Sequence, residues 1–385
     1  MMLRRIRRLG SVEGWRAAGR LAARSGRDAM RGLRGSAAAS VVATCLAAAR
    51  RARLRHELTY LWGPGPAPGR PDEATAVCVV RNGEPYVRSF VEHHTALGVR
   101  QIVLLDNGST DRTLELLRPY EHVTVLRSLL PFRTYQMAFR EHLLSHWGAG
   151  GWRLLLDIDE LFDYPRSPEL PLRGLLGYLN ARGYSAVVAY LLDMFADGPL
   201  GGRRSAPEDD LRATYPYYDI SNIRTRGYDE HYGGANAPSS AAIRLYWGGI
   251  RNTLFGSHDW LTKHPLQFPE RGARPAGHLA HDVRGARVAD ISAVLYHYKF
   301  LDRFLEQARA AVREGNYYKG SAQYRRYLKV LEATPNLQIR RATARRLEHV
   351  DQLVDEGFLA SSPAYEGWVG SAAPRAAEPV APEVP

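Results

Sequence analysis

The sequence predicts an α/β fold with a mainly parallel sheet flanked by helices, a C-terminal helical segment and a basic N-terminal arm. Two observations predict it. Between residues 71 and 300, short apolar runs of strand length alternate with segments whose apolar residues recur at helical spacing. Polar clusters then follow these runs, at the strand ends where open parallel sheets bind ligands.

Ala76-Val-Cys-Val-Val80 is the first run, long enough for a strand buried on both faces. Val87, Phe90, Val91, His94 and Leu97 share one face and predict a helix over 86–97. Gln101-Ile-Val-Leu-Leu105 is a second strand. Ser109 or Thr110 caps the next helix, with Asp111 in its first turn and Leu114, Leu116 and Leu117 as apolar contacts. Val123-Thr-Val-Leu126 is a third strand, residues 135–147 a helix, and residues 153–156 a fourth strand ending at Asp157. Residues 186–192 and 293–300 read as later strands. Residues 301–357 read as helices, with apolar stripes at Phe304, Leu305, Ala308, Ala311 and Val312 and at Tyr324, Tyr327, Leu328 and Leu331. Helical spacing makes packing on the sheet the expected role of the second stripe, although NYYKGSAQYRRYLK interleaves aromatics with bases.

The chain has 385 residues and a formal net charge of +12. All of that excess lies in residues 1–70, where fifteen Arg and no Lys face Glu13, Asp28 and Glu57, so the remainder is neutral. The arm's Ala-rich uncharged stretch at 36–49 is shorter than the roughly 20 apolar residues a membrane span needs. It also lies deep and ends in Arg50-Arg51, unlike a secretory signal. A disordered tail, a helix on an anionic membrane through residues 1–55, and a nucleic-acid arm stay open. Cys45 and Cys78 show neither metal-site spacing nor an expected pairing, which points to the cytoplasm, with peripheral contact at the inner membrane face as an addition. Gly63-Pro-Gly-Pro-Ala-Pro-Gly69 reads as a linker, and residues 361–385 as a disordered tail rich in Ala, Pro and Glu. The expected organisation is arm and linker over 1–70, catalytic domain over 71–300, packed helices over 301–360, and tail.

The chemistry concentrates in WRLLLDIDELFDYP, residues 152–165, where a core strand runs into Asp157, Asp159, Glu160 and Asp163. In an extended segment Asp157 and Asp159 face one side while Ile158 faces the core. Carboxylates so placed repel unless a proton or cation lies between them. Such acids are either a solvated strand end or ligands of Mg2+ or Mn2+, which take oxygen ligands together with substrate phosphates. Arg81-Asn82 and Asp106-Asn107-Gly108 follow the first and second strands, so three segments converge on one rim.

VCVVRNGEPYVRSFVEHHTALGVRQIVLLDNGSTDRT resembles the opening of family 2-like glycosyltransferases with the GT-A fold, a Rossmann-like architecture, and DIDELFDYP resembles their D-x-D segment. The similar branch carries D-N-x-S-x-D and D-x-D-E-F motifs. The resemblance covers residues 76–165, with a weaker match at VLYHYKF; Gly83 and Ser89 depart from it. The resemblance implies a metal-dependent glycosyltransferase that inverts and belongs to polysaccharide biosynthesis. Its donor is a nucleotide-diphosphate sugar and its acceptor a glycan or other hydroxyl compound. Carried over, Asp106 bonds the base or ribose, Arg81 and Asn82 line the nucleotide pocket, Asp157 lies near ribose and metal, and Asp159 ligates the metal bridging the diphosphate. His297, in the late strand, either completes the metal site, as the resemblance implies, or is a satisfied core histidine on an apolar face.

An inverting displacement also needs a general base. Asp193, Asp197, Asp229 and Asp259 are candidates, as is the pair His281 and Asp282 within TKHPLQFPERGARPAGHLAHDV, a segment that also reads as an exposed loop. Lys263 in that segment is suited to neutralise diphosphate. The irregular stretch after Asp193 reads as an acceptor-facing lid. Two other classes compete. A nucleotidyltransferase would use the same acids but with a Gly-rich basic phosphate loop, which RNGEPY matches poorly; a nucleic-acid binder would not have a neutral body with acids at its rim.

Overall fold

The computed structural model describes residues 37–201, 206–276, 282–315 and 318–372. An N-terminal unit ends at His56 and a second runs from Glu57 onward. Of the arm, helix α1 (Ala37–Glu57) is described; it has Arg50, Arg51, Arg53 and Arg55 in its C-terminal half and exposes Val42 and Leu46. Among the described residues, no helix is long and apolar enough to cross a membrane.

The second unit is a mixed α/β structure built on one large, mainly parallel sheet flanked by helices. Its strands are β1 (Thr59–Trp62), β2 (Ala74–Val80), β3 (Gln101–Asp106), β4 (Val123–Arg127), β5 (Trp152–Leu156), β6 (Glu160–Asp163), β7 (Ala186–Asp193), β8 (Ala237–Pro238), β9 (Thr262–Gln267) and β10 (Arg287–His297). They lie in the order β1-β4-β3-β2-β5-β9-β7-β10-β8, with β6 also paired to β10. The pairs β4·β3, β3·β2, β2·β5, β7·β10 and β8·β10 are parallel. Helices α2 (Val87–Leu97), α3 (Thr113–Leu117), α4 (Phe132–His146), α5 (Leu172–Ala181) and α6 (Gly249–Phe255) connect or flank them. The apolar runs β2, β3 and β5 are buried almost throughout, because helices cover both faces of a sheet with such crossovers.

Several expectations change. The body starts before the Gly/Pro run: β1 pairs antiparallel with β4 at the sheet edge. Residue Pro64 of that run accepts hydrogen bonds from Gln101 Nε2 at 3.1 Å and Thr124 Oγ1 at 2.7 Å, so the run is docked along the sheet. Residues 262–267 form β9, a buried strand lying antiparallel between β5 and β7, where polar composition and Pro265 suggested a loop. Residues from 361 onward do not all belong to a disordered tail: Pro363–Ala372 is a helix, α9, because Tyr365 and Val369 bury against the core and Tyr365 Oη donates to Pro165 O at 2.7 Å. Helices α7 (Phe304–Glu314) and α8 (Tyr318–Ala333) pack in a separate apolar cluster with Phe195, Phe255 and Phe300, because Phe304, Ala308, Tyr327 and Leu331 face those rings rather than the sheet.

Strand β6 carries acids of the rim, and two histidines hold it in place. Its inner edge pairs antiparallel with β10. On the outer edge, His93 Nε2 bonds Phe162 O at 2.7 Å, and Phe162 N–H donates to His94 Nε2 at 3.2 Å. His94 Nδ1 bonds Phe90 O at 2.7 Å, which fixes the neutral tautomer with its proton on Nδ1. Burial first, and the neighbouring His93 second, hold the His94 ring well below its usual pKa; burial likewise lowers His93.

A ring that is neutral when folded and protonated when unfolded costs stability as pH falls below its unfolded pKa of about 6.5. The thermal midpoint is therefore expected to drop between pH 7.5 and 5.5. In His94→Gln the midpoint is lower at pH 7.5 and the acid-side slope is shallower. Circular-dichroism melts across that range check both effects; an unchanged slope counts against the neutral pin.

Candidate active site

The loops after β2 and β3 interlock through side-chain-to-backbone bonds. Asn82 takes a left-handed backbone (φ 56°), which Asn tolerates better than most residues. Its side-chain oxygen accepts Thr110 N–H at 2.8 Å, and its own N–H donates to Ser109 Oγ at 2.9 Å. Gly83 N–H donates to Thr113 Oγ1 at 2.7 Å, and Glu84 N–H to Asp111 at 3.1 Å. A Cβ at Gly83 would lie 2.7 Å from Val80 Cγ2 and 3.1 Å from Ile158 Cγ1, so the close approach of the two strand ends requires glycine here. Asp106 is fully buried and accepts Gly108 N–H at 3.2 Å and Ser109 N–H at 3.0 Å, with Arg127 Nε 3.4 Å away. Asp106 and Asn82 thus shape the rim loop. Arg81 is exposed and pairs with Glu314 of α7 at 3.1 Å.

The acidic segment is a turn rather than an extended strand. Strand β5 ends at Leu156, and Glu160 N–H bonds Asp157 O at 3.1 Å, which reverses the chain into β6. Asp157 and Asp159 take different partners. Asp157 meets Arg140 Nη2 at 3.1 Å on one oxygen and Lys263 Nζ at 2.8 Å on the other. Asp159 meets His297 Nε2 at 3.3 Å. The turn also brings in Glu160, whose one oxygen accepts Asp157 N–H at 3.1 Å and whose other pairs with Lys263.

Donor atoms of Asp159, Glu160 and His297 lie within 4.8 Å of one another. Behind them, His297 Nδ1 is 2.6 Å from Asp193 Oδ1, and Asp193 is gripped by Arg251 through Nε and Nη2, each at 2.7 Å. We assign the Nδ1 proton to the Asp193 bond; the 3.0 Å approach of Arg251 Nη2 to Nδ1 is then a contact between donors. This assignment aims Nε2 at Asp159, as a carboxylate-oriented histidine does behind a metal. Two carboxylates and an imidazole suit Mn2+ or Mg2+, the nitrogen inclining the set toward the transition metal.

Burial opposes the charge on Asp159, but His297 outweighs it and holds the carboxyl below its usual range. Burial also disfavours the His297 cation, yet Asp159 raises its pKa. Glu160 is pushed up by burial, which Lys263 offsets only in part. Burial weakens the Lys263 ammonium, but Asp157 and then Glu160 hold it above its usual value. Asp193 is well below the carboxylate range because Arg251, foremost among its partners, overcomes the burial that would raise it.

The structure thus unites Asp159, Lys263 and His297, all singled out in the sequence, with Glu160. It corrects other expectations. Asp157 is tied to Arg140 and Lys263 and is not among the three clustered donors. Asp193 is committed to Arg251 and His297, so it orients the imidazole instead of serving as an available base. Asp282 lies in the hairpin before β10, whereas His297 ends β10 ten residues along; its carboxylate accepts Tyr232 Oη at 2.7 Å. At about 3.3 Å per residue, the length of β10 separates that hairpin from the rim. Asp197 pairs with Arg340, and Asp259 binds Ser257 and Gln323. His281 lies outside the described residues. Arg140 and Arg251 gave no local signal, since their acids are distant in sequence. Lys299, two residues past His297, also went unnoticed; its ammonium sits 5.0 Å and 5.6 Å from the ring centres of Tyr324 and Tyr327.

No family model matches the chain. A glycosyltransferase family 92 protein of Arabidopsis thaliana is 28% identical over 142 residues, 35% of this chain; the match spans only 24% of that relative. Among solved structures, the chain is similar to TarS of S. aureus at 13% identity and a TM-score of 0.30, over 68% of this chain and 73% of that one. It is similar to the mannosyltransferase PcManGT from Pyrobaculum calidifontis, in complex with GDP-Man and Mn2+, at 18% identity and a TM-score of 0.25, over 40% and 45% of the two chains. Similarity to glucosyl-3-phosphoglycerate synthase from Mycobacterium tuberculosis, in complex with Mn2+, UDP and glucosyl-3-phosphoglycerate, is 17% identity with a TM-score of 0.22, over 31% and 44%.

Proposed function

We propose that this protein is a glycosyltransferase of GT-A architecture, moving a sugar from a nucleotide-diphosphate sugar to a hydroxyl acceptor with a divalent cation and inversion at the anomeric carbon. The observation that carries this reading is the convergence of Asp159, Glu160 and His297 donor atoms within 4.8 Å at the rim where β5 and β10 end and β6 begins. The family 92 relative supports the transferase class, and the resemblance of residues 76–165 supports the family 2-like assignment. A glycan acceptor would place the activity in polysaccharide biosynthesis. We place the enzyme in the cytoplasm, with the basic arm as its contact with anionic membrane.

In this reading Asp159, Glu160 and His297 would hold the cation, which would supply Lewis-acid stabilisation to a departing diphosphate. Asp193 and Arg251 fix the ring of His297, so that its Nε2 is presented without reorganisation. The interlocked loops at Asn82 and Asp106 form the nucleotide side of the site. Lys263 and Lys299 contribute positive charge around the diphosphate.

With a panel of nucleotide sugars and Mn2+, one donor should release its nucleoside diphosphate. Asp159→Ala should lower that release by about a hundredfold or more while the protein stays folded. Release that survives both this change and a chelator would falsify the metal-assisted reading; the anomeric proton coupling of the product reports inversion.

Asp193→Asn weakens the bond that orients His297 and should lower Mn2+ affinity by about 10- to 100-fold. Electron paramagnetic resonance of free Mn2+ measures this directly. Equal affinities in the two proteins would show that Asp193 serves only the Arg251 packing.

A further inference from the structure

Both oxygens of Glu160 are engaged, one by Asp157 N–H and one by the Lys263 ammonium, although Glu160 belongs to the three-donor cluster. An ammonium and a divalent ion against one carboxylate repel each other, so Lys263 and the metal compete for Glu160. Asp157, by contrast, can lose Lys263 and remain paired, because Arg140 holds its other oxygen at 3.1 Å. A shift of Lys263 therefore leaves neither acid without a cation: Asp157 keeps Arg140, and Glu160 gains the metal. The lysine stands on a rotatable four-carbon stem, and Asp157, the more open of its two partners, has a side chain 38% exposed.

We propose that Lys263 is a displaceable internal cation: it balances Glu160 and Asp157 until a divalent ion takes up Glu160, and it then turns to the donor's diphosphate. This rests on the metal reading of the site given above. It follows that metal alone binds weakly, because it must displace an ammonium from a buried carboxylate. It also follows that nucleoside diphosphate strengthens metal binding, because the phosphates accept the displaced charge. By thermodynamic reciprocity, metal strengthens nucleotide binding by the same factor.

The test is Mn2+ titration at pH 7.5, read by electron paramagnetic resonance of the free ion, on wild type, Lys263→Met and Lys263→Gln. Lys263→Gln retains hydrogen-bonding capacity toward both acids, so it tests the charge should the methionine variant fail to fold. Both substitutions are expected to tighten Mn2+ binding without nucleotide by about tenfold or more, since a competing unit charge is gone. Saturating UDP or GDP should raise Mn2+ affinity in wild type and raise it less in the variants. Equal or weaker Mn2+ binding in the folded variants overturns the proposal. Wild type that takes up no Mn2+, with or without these nucleotides, overturns the metal reading and the proposal together, a result distinct from equal binding in all proteins.

Discussion

The rim of this molecule depends on charge balance in a place largely closed to water. Asp157, Asp159, Glu160 and Asp193 are gathered at the ends of β5, β6 and β7, and they are met by Arg140, Lys263, His297 and Arg251. A buried carboxylate left alone costs several kcal/mol after relaxation. The cations are consequently as much a condition of the fold as of any chemistry. The pairings are graded: Asp193 and Arg251 form a fork-to-fork pair with both side chains almost fully buried, whereas Asp157 is partly open. The inner pair is suited to holding His297 still, and the outer ones are suited to exchanging partners.

Strand β9 is what makes this balance possible. It enters antiparallel between β5 and β7, so its first residues reach the rim where its neighbours end. Lys263, second in the strand, arrives directly opposite the Asp157–Glu160 turn. A helix-connected parallel strand would have its N-terminal residues at the other end of the sheet. The antiparallel insertion therefore delivers a buried ammonium to acids contributed by a segment more than a hundred residues earlier.

Much of the first half was legible because its signals are local. Apolar runs of strand length and helical spacing determine β2, β3, β4 and β5, and the polar groups at their ends mark the rim. The turn at 157–160 was not legible as such. An i, i+2 rule assumes extended backbone, and the chain reverses there because β6 must run antiparallel to β10. Strand β9 was hidden by Lys263, His264 and Pro265, residues that read as loop when their burial is unknown. Likewise, the places of Glu160 and Arg251 beside His297 depend on tertiary neighbours. His297 was identifiable as a candidate because it ends an apolar strand, yet Asp193 as its orienting partner became visible only through the parallel register that aligns His297 with Asp193.

The two sides of the site differ in physical kind. Around Asn82 and Asp106, acceptors satisfy backbone N–H groups in interlocked loops, so moving one residue would leave several donors unpaired, the buried Gly83 N–H among them. Such a wall is held by short, directional bonds. Around Asp157 and Glu160 the bonds are ionic and made by long side chains, for which one cation can replace another at a much smaller loss. The proposed donor, with a neutral base at one end and a charged diphosphate at the other, matches that division: the hydrogen-bonded wall suits an end recognised by shape, and the ionic acids suit an end whose charge would grow as the bond breaks.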